Sequence, residues 1–224
     1  MPDRLGGKRV VVTDAQEFMG PDIAALFREE GAEIIEDKSD LRIPGRCASL
    51  IEEAGHVDVL MANFASGKNN FSAIESTDEI LDDMLARMVR PLHQLTRAVL
   101  PQMIARRRGK IVVVGSASAL RGQANRAVYA AARAAQHGYV RSIGIEVAPH
   151  NVNVLATAQI FVENPSYFPP AYQETEEFRQ RLHGVPAGRL STGREAAMFL
   201  LALAGSETDW LFGQVFAYAG GWAV

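Results

Sequence analysis

With 224 residues, 48% of them hydrophobic and 22% charged, the chain fits one globular domain with a full core, and no second domain is needed. A net charge of -3 and a pI near 6.0 provide no electrostatic footprint for nucleic acid or an anionic membrane. The single Cys47 cannot form an internal disulfide, the opening Met1-Pro-Asp-Arg-Leu-Gly-Gly7 has no apolar core of a signal peptide, and no stretch reaches the length of a membrane span, so a soluble cytoplasmic protein is expected. His56, His93, His137, His150 and His183 show no metal-ligand spacing and read as solvated or capping residues.

From the amino terminus, Lys8–Thr13 reads as a buried strand, Pro21–Glu30 as a helix stopped by Gly31, and Ala32–Ile35 as a second strand. A helix over Cys47–Ala54 and the strand Val57–Ala62 follow. A long helical stretch covers about 78 to 107, with Pro91 and Pro101 as places for a bend. Lys110–Gly115 is a short β-branched run, hence a buried strand, and Tyr129 opens a long alanine-rich helix. Beyond it come the strand Asn151–Ala156, a loop over Thr157–Thr175, helices over Glu176–Leu182 and Arg194–Ala204, and a last strand Gly213–Tyr218. This alternation predicts an α/β fold, a Rossmann-like, doubly wound parallel sheet with helices on both faces and ligands at the carboxyl ends of the strands. The run Arg106-Arg-Arg-Gly-Lys110 sits at a helix end, where cations complement the dipole, and no aromatic residues interleave it.

The chemistry-bearing stretch starts at Ser116, delivered by the strand that ends at Gly115. Tyr129 follows after twelve intervening residues and Arg133 after three more, so Tyr129 and Arg133 are four apart and share one face of a helix, a turn from each other. Ser118 lies two positions too late for that gap and reads as a loop or packing residue. The arrangement resembles the active site of the short-chain dehydrogenase/reductase superfamily, with arginine in place of lysine. Superfamily members carry Thr-Gly, three residues, then Gly-x-Gly after the first strand, because glycine lets the backbone approach a pyrophosphate. Here the stretch is Thr13-Asp-Ala-Gln-Glu-Phe-Met-Gly20, with Asp14 and Phe18 in place of glycines. An anion beside a pyrophosphate is unfavourable, and a phenyl ring removes the volume the phosphates need. Ala62-Asn63-Phe64-Ala65 replaces Asn-Asn-Ala-Gly, Met88 stands at the relay asparagine, and Ala158-Gln159 replaces Pro-Gly.

Together these departures, with Phe161–Phe168, Val185–Leu190 and Gly220-Gly-Trp222, resemble the halohydrin dehalogenases, the cofactor-free branch of the superfamily. The resemblance implies catalysis by Ser116, Tyr129 and Arg133 with no cofactor and no metal. It implies a halide site formed by Ala158, Gln159, Ile160 and Phe161 and closed by Phe18, with small haloalcohols, epoxides, halide or other small anions as partners, and a homotetramer as the assembly. The residues support the same chemistry. A phenol beside a guanidinium favours its anion, and arginine cannot compete as a base. Ser116 can hold the substrate oxygen, and a turn of backbone N–H groups can stabilise the leaving anion. Phe18 reads either as a wall of the halide site or as packing that fills an empty cleft, and Tyr167 and Phe168 either wall the substrate pocket or simply pack. Asn63 is expected to bond backbone between strands. Two further readings stay open: an aberrant nicotinamide-dependent oxidoreductase, and a non-catalytic relative that binds a small ligand.

Overall fold

The computed structural model describes residues 3–224. Its strands are β1 (Arg9–Val12), β2 (Glu33–Glu36), β3 (Val59–Ala62), β4 (Gly109–Ser116), β5 (Val152–Gln159) and β6 (Val215–Tyr218). The helices are α1 (Gly20–Glu29), α2 (Arg46–Ala54), α3 (Asp78–Arg106), α4 (Ala127–Val147), the short α5 (Pro170–Gln173), α6 (Glu176–His183) and α7 (Gly193–Ala204). All six strands are parallel, in the order β2-β1-β3-β4-β5-β6. The chain moves outward from β1 to β2, crosses back over β1 to β3, and then proceeds outward the other way. That reversal opens a crevice at the carboxyl ends of the strands.

Strand residues alternate between two cores, as the pleat requires. Val11, Leu60, Ile111, Val113 and Val154 face α2, α3 and α4, whereas Val10, Val12, Val59, Val112 and Leu155 face α1 and α7. A third, aromatic cluster of Phe161, Phe168, Phe178, Val185 and Leu190 gathers the segment after β5 over the crevice.

Two elements differ from the sequence expectation. The strand expected to end at Ala156 continues to Gln159, because Ala158 and Gln159 pair with Gly115 and Ser116 on one side and with Ala217 and Tyr218 on the other. The irregular segment therefore starts at Ile160 and contains α5. Helix α3 runs as 29 residues through both Pro91 and Pro101. The basic run behaves as a helix terminus: Arg106 donates to the Val57 carbonyl, Arg107 takes the left-handed capping conformation, and its guanidinium donates to the Pro149 carbonyl. No helix among the described residues is long and apolar enough to cross a membrane, and none of their His, Cys, Asp and Glu side chains gather in a group that could hold a metal.

Gly115 sets the seat of α4 on the sheet. A Cβ there would lie 2.2 Å from the Thr157 carbonyl oxygen and 2.6 Å from the His137 ring. His137 is accordingly a buried packing residue, where the sequence suggested a solvated or capping one. Burial, with Arg141 and Arg133 nearby, pushes its pKa down to about 4, so the ring is neutral at physiological pH. Since His137 lies two turns beyond Tyr129 on α4, this close approach carries the phenol toward the end of β4. Gly115→Ala is expected to cost about 1–3 kcal/mol, seen as a lower urea midpoint with an unchanged m-value; an unaltered midpoint would show that the helix does not depend on this contact.

Candidate active site

Ser116 ends β4 in a buried position paired with Gln159 of β5, and its Oγ accepts the Ser118 N–H at 3.2 Å. That bond occupies a lone pair and leaves the serine's own hydrogen free to donate. Ser118 lies in the 3-10 turn Ala117–Ala119, lines the same cleft and donates its hydroxyl to Gln123 at 3.0 Å, so it belongs to the site as well as to the turn. Tyr129 enters from the first turn of α4, 8% exposed. Arg133, one turn further on, is fully buried. Its Nε donates to the Tyr129 phenol at 3.2 Å, Nη1 to the Val114 carbonyl and to Gln136 Oε1, and Nη2 to the Phe64 carbonyl. Gln136 in turn donates to the Met88 carbonyl at 2.8 Å.

No carboxylate pairs with Arg133 among the described residues. All its partners are neutral, and the phenol is the one that can become an anion. Burial pushes the Tyr129 pKa up, but the charge and hydrogen bond of Arg133, the Ser116 hydroxyl and the nearby Arg126 outweigh it and hold the phenol below its ordinary value.

The site opens into a cleft bounded by Phe18, Asn69, Ser116, Ser118, Gln123, Arg126, Tyr129, Gln159, Ile160, Phe161, Val162, Tyr167, Phe168 and Arg181. Of the residues singled out from sequence, Ser116, Tyr129, Phe18, Gln159, Ile160, Phe161, Tyr167 and Phe168 are brought together on its wall. Arg133 lies behind Tyr129. Ala158 does not reach the cleft; it is buried within β5 between Gly115 and Ala217, because the strand is longer than expected. The same extension changes the backbone of the anticipated anion turn. The Ile160 N–H is spent on the Tyr218 carbonyl, while those of Phe161 and Val162 meet no acceptor among the described residues. Gln159 Nε2 is likewise buried without a partner. Arg126, Arg181, Gln123, Asn69 and Gln136 escaped the sequence reading; only Gln136, three residues after Arg133 on one helix, carried a spacing signal.

The loop after β1 keeps left-handed backbone at Asp14 (φ 43°) and Phe18 (φ 50°), the two positions where the superfamily pattern has glycine. Asp14 accepts the Ala65 N–H at 2.8 Å, and Asn63, expected to bond between strands, ties this loop down by donating to the Asp14 and Glu17 carbonyls. Phe18 meets Tyr167 edge to face at 5.5 Å across the cleft.

The family model described as short chain dehydrogenase matches residues 5–167. The chain belongs to that family. Among curated relatives, the 3-oxoacyl-(acyl-carrier-protein) reductase FabG of Vibrio cholerae is 30% identical, with 97% of this chain and 98% of the relative aligned. The FabG reductases of Vibrio harveyi and Escherichia coli are 29% and 27% identical over 97% and 96% of this chain, and over 98% and 97% of their own lengths. A solved structure named as a dehalogenation enzyme matches with a TM-score of 0.90 and 30% identity, covering 98% of this chain and 99% of the other.

The dinucleotide that membership of the short-chain dehydrogenase family implies does not suit the residues present. The space beside the β1–α1 turn holds the Asp14 carboxyl, pushed up by burial and by the neighbouring Asp37 and Glu17 but still an acceptor toward Ala65. The Phe18 ring closes on Tyr167, and the Arg133 donors that bond are all directed inward.

The lowered phenol has a measurable signature. A native pKa below the ordinary value of about 10 means that the native state binds fewer protons than the unfolded one in that interval, so Tyr129 adds stability as pH rises through it. Ultraviolet titration is expected to show one phenolate appearing ahead of the other tyrosines and missing from Tyr129→Phe. A parent titration curve that overlays the variant's would place Tyr129 among the ordinary phenols.

Proposed function

We propose that the protein is a cofactor-independent dehalogenase of vicinal haloalcohols, closing them to epoxides with release of halide, and that it opens epoxides in reverse with small anions such as azide, cyanide, nitrite or halide. The observation that carries this reading is the buried Arg133, whose guanidinium meets the Tyr129 phenol and no carboxylate among the described residues. Such a pair supplies a base at a lower pH than an ordinary phenol does and needs no redox partner. The likeness to the solved dehalogenation enzyme supports it.

Ser116 turns its hydroxyl hydrogen from the phenol to the substrate oxygen as Tyr129 phenolate takes the hydroxyl proton. The oxygen's electron pair forms the new bond to the neighbouring carbon, the carbon–halogen bond breaks, and the halide leaves with its pair. Tyr129 then loses the proton to solvent. The leaving anion meets the free N–H groups of Phe161 and Val162 and the unpartnered amide of Gln159, walled by Phe18 and Tyr167. In ring opening Tyr129 starts protonated and donates to the epoxide oxygen, so that direction runs best at lower pH. A homotetramer suits the apolar side chains Leu81 on α3, Ile145 on α4 and Met198 on α7, all exposed in the single chain.

The FabG relatives favour a second reading, a nicotinamide-dependent reductase. Calorimetry separates the two: NADH and NADPH at millimolar concentration are expected to give no binding heat with the parent or with Phe18→Gly, because Asp14 remains in both. Micromolar binding by the parent would favour the reductase.

Tyr129→Phe is expected to abolish halide release from a simple chlorohydrin while leaving the circular dichroism spectrum and melting point near those of the parent. Arg133→Lys keeps a cation but loses reach toward Phe64 and Val114, so the pH profile for dehalogenation shifts upward. Halide release by Tyr129→Phe at more than a few per cent of the parental rate would move the base elsewhere.

A further inference from the structure

Two arginines in the cleft wall make no contact with substrate in the dehalogenation, although Arg126 adds to the field that lowers the Tyr129 pKa. Arg126 stands 5.8 Å from the Tyr129 ring centroid, and Arg181 stacks on Phe161 and Phe168 at 5.6 and 5.5 Å. Neither forms an ion pair among the described residues, and the cleft wall contains no Asp or Glu. Arg181 has acids on its own helix, where Glu176 pairs with Arg179 instead. Arg126 is held by a neutral chain: it donates to Asn69, Asn69 donates to Ser66, and Ser66 bonds Tyr167. Burial weighs most against its charge and Arg181 adds to that, while the Tyr129 and Tyr167 phenols favour it. Two guanidinium groups fixed near each other in a half-buried cleft repel, and an anion between them relieves both.

We propose, building on the dehalogenation reading, that the preferred substrates are haloalcohols and epoxides bearing a carboxylate, gripped by Arg126 and Arg181 while Tyr129 acts on the hydroxyl. The planar forks of two arginines match a carboxylate better than a spherical halide. Proton, carbon–oxygen bond and halide move as in the reaction above; the carboxylate is a handle and does not react.

The test compares β-chlorolactate with glycerol α-chlorohydrin, which replaces the carboxylate with a hydroxymethyl group, by halide release from the intact protein at each variant's optimum pH. The parent is expected to favour the acid by about tenfold or more in kcat/KM, and Arg126→Gln and Arg181→Gln each to cut that ratio about tenfold, mainly through KM. Calorimetry with lactate and methyl lactate reads the same site without turnover: lactate binds, the ester does not, and Arg181→Gln loses the difference. A parent that prefers the neutral chlorohydrin, or a ratio that neither substitution moves, overturns the proposal. A raised KM for azide in opening a neutral epoxide, with the ratio unmoved, also overturns it and assigns the arginines to the incoming nucleophile. If neither chlorinated compound releases halide while lactate still binds in an Arg181-dependent way, the dehalogenation reading falls and the carboxylate site stands.

Discussion

A guanidinium taken out of water needs compensation for several kcal/mol of lost hydration, and Arg133 finds it without a carboxylate. Two backbone carbonyls, one amide oxygen and one phenol surround it. Neutral acceptors satisfy its geometry but not its charge. The remaining electrostatic demand falls on Tyr129, the partner able to ionise, and the lowered phenol pKa follows from that imbalance. A carboxylate in the same shell would neutralise the arginine and remove the drive.

Much of the surrounding structure serves to keep that imbalance in place. The Val114 carbonyl comes from β4, the Phe64 carbonyl from the segment after β3, and Gln136 is anchored on α3 through Met88. Three elements therefore converge on one side chain of α4. Gly115 allows the helix to sit close enough for the convergence, since any side chain there would collide with Thr157 or His137. Gln136 acts as a positioning residue that holds the guanidinium fork without offsetting its charge.

The cleft in front of the phenol has a different character on each wall. Phe18, Tyr167, Phe161 and Phe168 supply aromatic surface, and the unused donors of Phe161, Val162 and Gln159 lie among them. Aromatic edges and isolated donors suit a large, weakly hydrated anion. Arg126 and Arg181 supply the cationic wall. Phe18 belongs to a loop with left-handed backbone at both Asp14 and Phe18, a conformation that glycine adopts without cost, and here side chains that pack stand at both positions. A left-handed non-glycine residue costs on the order of 1–3 kcal/mol, offset here by the Asp14 to Ala65 bond and the Phe18 to Tyr167 contact.

Local pattern was enough to determine the alternating strands and helices and hence the parallel sheet, because β-branched runs and helical spacing are written residue by residue. The spacing of Ser116, Tyr129 and Arg133 was equally legible, and one helix turn brings Tyr129 and Arg133 together locally, but Ser116 meets them only through the seat of α4 on β4 at Gly115. What tertiary structure alone decided was everything that depends on partners far apart in sequence. Pairing with Gly115 and Ala217 drew Ala158 into the sheet and out of the cleft. Packing against Gly115 buried His137. Arg126 and Arg181, 55 positions apart, carry no motif, and their common place on one wall follows from the fold of the segment after β5 over the amino end of α4. Sequence records which side chains are charged; which charges are left without a counterion depends on the whole arrangement of acids around them, and that exists only in the folded chain.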